Sequence, residues 1–175
     1  MKPRFLMIVG MILAAALSRL IPHPLNFAPI VAMALFGGAC FSKKQTALIV
    51  TFGALLLSDL LLGFYPDVLV VYASYLLIIG LGTLLKNRRS PLPVAAATLA
   101  SSLLFFVVTN FGVWAIQPIY PKTVAGLVAC YVAAIPYFSN TLAGDAVYVT
   151  ILFGALALAE KRFALLREPS LATSL

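Results

Sequence analysis

Apolar residues fall into runs broken by proline, glycine or charge, at about 5–21, 27–41, 46–64, 68–85, 93–116, 124–138 and 140–159. Most approach the roughly 20 residues that carry a helix across a bilayer, so the pattern predicts an all-α integral membrane protein, a single transmembrane domain over 1–175. The run 124–138 is short and carries Pro136 near its end, which predicts a short outer-surface or re-entrant helix. Six transmembrane helices remain. The run 27–41 is also short, about 22 Å by helical rise, and must be buried among neighbours or sit where the bilayer thins. Its lead-in, Pro22-His23-Pro24-Leu25-Asn26-Phe27-Ala28-Pro29, favours extended backbone, tolerated at membrane depth only against protein or a watery cavity. The tail from Glu168 to Leu175 is expected to fray.

Composition agrees: 63% of residues are hydrophobic and 10% charged, against about a quarter charged in a soluble domain. A soluble enzyme, a disordered chain and a secreted disulfide scaffold are excluded. The net charge of +7 (12 Lys+Arg minus 5 Asp+Glu) reads as orientation rather than nucleic-acid binding. Ten basic residues form four clusters: Lys2 and Arg4; Lys43 and Lys44; Lys86, Arg88 and Arg89; Lys161, Arg162 and Arg167. With six crossings and a cytoplasmic N-terminus, all four lie inside and both termini are cytoplasmic. The N-terminal run resembles a signal peptide, with Ala14 and Ala16 as an A-x-A-like site, but its removal would upset this charge arrangement.

In that topology the polar residues Arg19, His23, Asn26, Asp59, Asp67, Asn110, Asn140 and Asp145 occupy the outer half. Asp59 and Asp145 each lie about 8 Å deep, where a carboxylate needs a partner or water. Arg19 is the nearest cation by sequence logic, and two readings stand: a structural arginine–carboxylate clamp, or ligand-facing charges. One arginine leaves one carboxylate over. The single tryptophan, Trp114, and all seven tyrosines fall in the outer half or near the midplane. They form either an outer aromatic belt or the wall of an outward-facing cavity, with Tyr72, Tyr75, Trp114 and Tyr137 around a floor of Asp59, Asp145 and Asn110. His23, between two prolines, is an interfacial polar residue or a hydrogen-bonding ligand group.

No G-x-S-x-G or H-E-x-x-H stretch occurs, so no catalytic set, metal site or cofactor is expected. Cys40 and Cys130 show no metal-binding spacing and read as packing residues. Gly80-Leu81-Gly82-Thr83-Leu84-Leu85-Lys86 only loosely resembles a phosphate loop, lacking the glycine before the lysine, so the chain cannot hydrolyse ATP by that route. Gly10, Ala14 and Ser18 form a small-xxx-small stripe on the first helix, suited to close packing inside the protein or against a partner.

The order of these features resembles the substrate-binding (S) subunits of energy-coupling factor (ECF) vitamin transporters over about residues 7–160. The resemblance rests on Ser18-Arg19-Leu20-Ile21-Pro22, Asn26-Phe27-Ala28-Pro29, Leu35-Phe36-Gly37-Gly38-Ala39-Cys40-Phe41, Leu57-Ser58-Asp59 with Gly63, and Ile135-Pro136-Tyr137-Phe138 followed by Gly144-Asp145. With Thr109-Asn110-Phe111-Gly112-Val113-Trp114, the chain is similar to a family of small, functionally uncharacterised bacterial membrane proteins grouped with transporters. The resemblance implies six helices around an outward-opening pocket for a vitamin-like or cofactor-like substrate. It also implies a transmembrane coupling protein with two ATPase subunits, which would dock on Gly10, Ala14 and Ser18. The substrate-binding residues expected are Arg19, His23, Asn26, Asp59, Tyr72, Tyr75, Asn110, Trp114, Tyr137, Asn140 and Asp145. A cobalt-containing vitamin could take Cys130 as a ligand only if that thiol faces the pocket. The alternatives are an intramembrane enzyme acting on a lipid or isoprenoid, with Asp59 and Asp145 as acid and base, or a structural membrane subunit.

Overall fold

The structure, a computed structural model, describes residues 3–167. Every regular element among the described residues is helical: α1 (Pro3–Ser18), α2 (Ile30–Cys40), α3 (Lys44–Leu62), α4 (Val68–Thr83), α5 (Pro91–Ile116), α6 (Val124–Arg162) and a short 3-10 turn (Ala164–Leu166). Helices α3, α5 and α6 are long and apolar enough to cross a membrane, whereas α1, α2 and α4 are apolar but shorter. Lys2 and the tail from Glu168 lie outside the described residues.

Local sequence sets the helix ends. Pro91 follows Ser90 at the start of α5, where a missing N–H costs no intrahelical bond. Thr123 opens α6 by accepting from the Gly126 N–H at 3.1 Å, and Lys161 and Arg162 close it, where cations suit the carbonyl end of the helix dipole. Gly63 ends α3 with a φ of 90°, a conformation that favours glycine.

Helix α2 is the centre of the fold, packed by all five other α-helices. Every residue from Val31 to Cys40 is buried, which is why the segment is apolar on all sides. Its closest neighbour is α4. A Cβ on Gly38 would collide with the Ile79 carbonyl, and one on Gly82 with the Leu35 carbonyl, so the two backbones touch. Gly82, within the phosphate-loop look-alike, is thus a packing residue. The burial expected for this short segment is what the structure shows. As a helix α2 rises only about 16 Å, and the irregular stretch 19–29 continues the path.

The helices alternate in direction. Arg4, near the start of α1, donates to the Cys40 carbonyl at the end of α2 (3.0 Å) and pairs with Glu160 near the end of α6 (3.1 Å). Lys86, after α4, donates to the Ser42 carbonyl between α2 and α3 (2.8 Å), and Arg89, before α5, lies 3.6 Å from Glu160. The basic clusters therefore gather at one end of the molecule. Outside the core the lateral surface is apolar, with Ile49, Leu69, Leu99 and Leu158 all exposed.

Residues 124–138 are not a separate short helix but the first part of the same helix as 140–159. Helix α6 runs unbroken through Pro136 for 39 residues, about 58 Å. Proline removes one backbone bond, a loss that helices packed on neighbours tolerate. Here α5 supplies the packing: the Tyr131 hydroxyl donates to the Val107 carbonyl (2.7 Å), and the Phe106 ring packs at a tilt against Tyr131 and Phe138.

Candidate functional site

At the end opposite the basic clusters the helices enclose an open-mouthed cavity of about 330 Å³. Its polar lining comes from four places: Arg19 and Asn26 on the irregular stretch, Tyr65 and Asp67 on the α3–α4 loop, Thr109 and Asn110 on α5, and Thr141 and Asp145 on α6. Ile30, Val31, Val71, Phe105 and Val113 supply apolar wall. The spacing explains the convergence, since Thr109 and Val113, like Thr141 and Asp145, stand four residues apart on one helix face. Asn26 holds a φ of 64°, which asparagine tolerates better than most residues. A Cβ on Gly144 would press within 3.2 Å of Phe27 Cα, so this glycine lets the irregular stretch lie close on α6 beside Asp145.

Two buried carboxylates near this end have different surroundings. Asp59 is fully buried, and its Oδ1 lies 2.7 Å from Arg19 Nη2 as an ion pair without hydrogen-bond alignment. Arg19 also donates to the Ser58 hydroxyl. Asp145 is 1% exposed and takes only the Ser102 hydroxyl, at 2.6 Å on Oδ2, while Oδ1 has no hydrogen-bond partner among the described residues. Asp67, at the mouth, accepts from Gln117 Nε2 at 3.2 Å. In the same loop, burial first and then the neighbouring Asp59 carboxylate push the Tyr65 phenol up from its ordinary pKa, keeping it a neutral hydrogen-bond donor.

Of the residues expected at the site, Arg19, Asn26, Asn110 and Asp145 line the cavity. Asp59 stands behind Arg19. His23 is exposed and faces its neighbour's backbone, with Nδ1 3.0 Å from the Pro24 carbonyl oxygen. Asn140 donates to the Leu25 carbonyl (3.0 Å), fastening the irregular stretch to α6. The expected aromatic wall is not assembled. Tyr72 packs on Phe52, with ring centres 4.9 Å apart, and Tyr75 is fully buried with its hydroxyl donating to the Thr51 carbonyl (3.0 Å). Trp114 donates to the Pro121 carbonyl (2.9 Å) and lies under Lys122, and Tyr137 points outward, 44% exposed. Each ring turns to a helix neighbour or outward because its position around the helix axis differs from that of the cavity-lining residues.

Tyr65, Asp67, Thr109 and Thr141 join the lining without having been singled out as ligand residues. For Thr109 and Thr141 the signal was the four-residue spacing to Val113 and Asp145, and for Tyr65 and Asp67 only their place in the loop after α3. Cys130 is buried, its thiol 3.4 Å from the Asn110 carbonyl oxygen, and does not line the cavity. Among the described residues no group of three or more histidine, cysteine or acidic side chains is placed to hold a metal. On α1, Gly10 and Ala14 are exposed and a Cβ on Gly10 would meet open space, while the Ser18 hydroxyl lies 3.1 Å from that of Tyr148. The stripe is thus not consumed by internal packing at Gly10.

Comparison with known proteins gives one family match: a model described as "Family of unknown function (DUF6580)" covers residues 1–171. No curated protein and no solved structure matches.

Proposed function

Because the chain belongs to a family of unknown function (DUF6580), we propose a function from its own residues: a membrane transport subunit that captures a small vitamin-like or cofactor-like substrate from the outer side and is energised by a separate ATPase module. Six helices cross the membrane in this reading, α2 doing so together with the irregular stretch, and both termini are cytoplasmic. The collected basic clusters and the apolar lateral surface support that orientation.

The observation that carries the reading is Asp145, a buried carboxylate that lines a cavity and keeps one oxygen unmatched. Such a group is costly at membrane depth unless something uses it, and intramembrane acids default to function. A substrate with an N–H donor or positive charge would complete it, with Asn110, Thr141 and Tyr65 as neutral partners. The volume falls at the low end of the roughly 300–1,000 Å³ usual for small-molecule sites. The enzyme alternative, with Asp59 and Asp145 as acid and base, lacks this support, because Asp59 does not line the cavity and is held by Arg19.

The test is mass spectrometry of small molecules retained by the gently purified protein, followed by binding to wild type and Asp145→Asn. A copurifying compound lost in the variant supports the reading, and its chemical turnover by the isolated protein would replace it with the enzyme. Coupling is tested separately with Gly10→Trp, which fits open space and should leave binding intact while uptake is lost. Unchanged uptake would remove α1 as the docking surface.

A further inference from the structure

Along the side of the molecule, from the basic end up to the level of Leu142, α5 and α6 part to leave a second depression, larger than the outer cavity at about 740 Å³ and predominantly apolar. Its walls include Val94, Leu99, Leu142, Val149 and Phe153, and its mouth at the basic end is set by Arg89 and Lys161. We propose that this groove binds one molecule of an anionic phospholipid from the inner leaflet, an acyl chain lying between the helices and the phosphate meeting Arg89 and Lys161.

Three observations lead there. The lining extends from Lys161 to Leu142, about 28 Å along α6, longer than one leaflet's half of the roughly 30 Å hydrocarbon core. An extended acyl chain therefore fits lengthwise, from the headgroup level towards the midplane. The charge is also one-sided. Glu160, the only acidic residue at that end among the described residues, is shared by Arg4 (3.1 Å) and Arg89 (3.6 Å). Lys161 and Arg162 add further positive charge, so the mouth is net basic and complements a headgroup of net negative charge rather than a zwitterionic one. Finally, the groove has room left where a helix would otherwise fill it, since a Cβ on Gly154 would meet no atom within 4 Å. This site shares no residue with the outer cavity.

The experiment places the full chain in nanodiscs holding equal amounts of phosphatidylglycerol and phosphatidylcholine, extracts it gently, and counts retained lipids by native mass spectrometry. Wild type should retain one phosphatidylglycerol with a preference of about tenfold or more, as expected of two cations near a headgroup. Lys161→Gln, which leaves the Arg89–Glu160 contact in place, should cut that preference about threefold, and Arg89→Gln/Lys161→Gln should bring it near unity. Gly154→Leu fills the groove without removing charge and should lose both lipids. Equal retention of the two lipids by wild type overturns the proposal. So does a preference that survives both the double variant and Gly154→Leu, since the lipid would then sit elsewhere. Because Gly154→Leu leaves the outer cavity untouched, its effect is independent of whether that cavity captures a substrate.

Discussion

Asp59 and Asp145 sit near the same end of the molecule and are buried to almost the same degree, yet one faces a guanidinium and the other only a hydroxyl. Of the two sequence readings of the outer charges, the clamp describes Asp59, and the ligand-facing role is the one proposed for Asp145. Arg19 and Asp59 make the clamp, tying the end of α1 to α3. Asp145, left over in the charge count, is the group directed at the cavity. A buried pair stabilises chiefly by matching two charges that would otherwise stand alone, whereas a lone acid has to be completed from outside.

Removing one member of the clamp should give the largest effect. Arg19→Leu leaves Asp59 buried and unmatched, a loss of about 3–5 kcal/mol, seen as a fall in thermal unfolding midpoint in detergent or as lost accumulation in the membrane. Arg19→Leu/Asp59→Leu should recover most of that loss, because it removes both charges and keeps apolar volume. A single variant as stable as wild type would mean that the pair is no clamp.

Asp145→Asn should behave in the opposite way. The amide keeps the hydrogen bond with Ser102 and removes a buried charge, so stability should hold or rise, while retention of the copurifying substrate falls about tenfold or more, in line with loss of a charge-assisted hydrogen bond. Loss of stability without loss of retention would make Asp145 a second structural acid and erase the contrast with Asp59.

The contrast was partly legible before any coordinates. Charge clusters and run lengths show position along the helix axes, and they placed the basic clusters together and Arg19, Asn26, Asn110 and Asp145 in the opposite half. What they do not show is rotation about each helix axis. On α4, Val71 lines the cavity while Tyr72, one residue and about 100° further round, packs on Phe52, and Tyr75 enters the core. The continuity of α6 was hidden for another reason. Pro136 carries the same local signal whether it ends a helix or is carried through one, and the contacts that decide between these come from Val107 and Phe106, about 30 residues upstream.

Rotation about α4 predicts a smaller pair of effects. Tyr75→Phe removes one buried hydrogen bond to the Thr51 carbonyl and should cost about 1 kcal/mol of stability with retention unchanged. Tyr65→Phe, on the loop at the cavity, should do the reverse, lowering retention a few-fold with stability nearly intact. Equal effects of the two on retention would put Tyr75 back in the wall.

The smallest effect is expected at Trp114, which with the one-sided tyrosines suggested an aromatic wall. Its indole donates to the Pro121 carbonyl, its ring lies 5.8 Å beneath the Lys122 ammonium, and Lys122 in turn donates to the Trp114 and Gln117 carbonyls. All of these contacts lie within the turn joining α5 to α6. Trp114→Phe keeps a ring for the cation and loses only the indole hydrogen bond, so it should cost at most about 1 kcal/mol and leave substrate retention within about twofold of wild type. The comparison with Asp145 depends on that null result. If Trp114→Phe lowers retention as strongly as Asp145→Asn while the protein stays folded, the bound state must draw the α5–α6 turn over the cavity, and Trp114 would belong to the site after all.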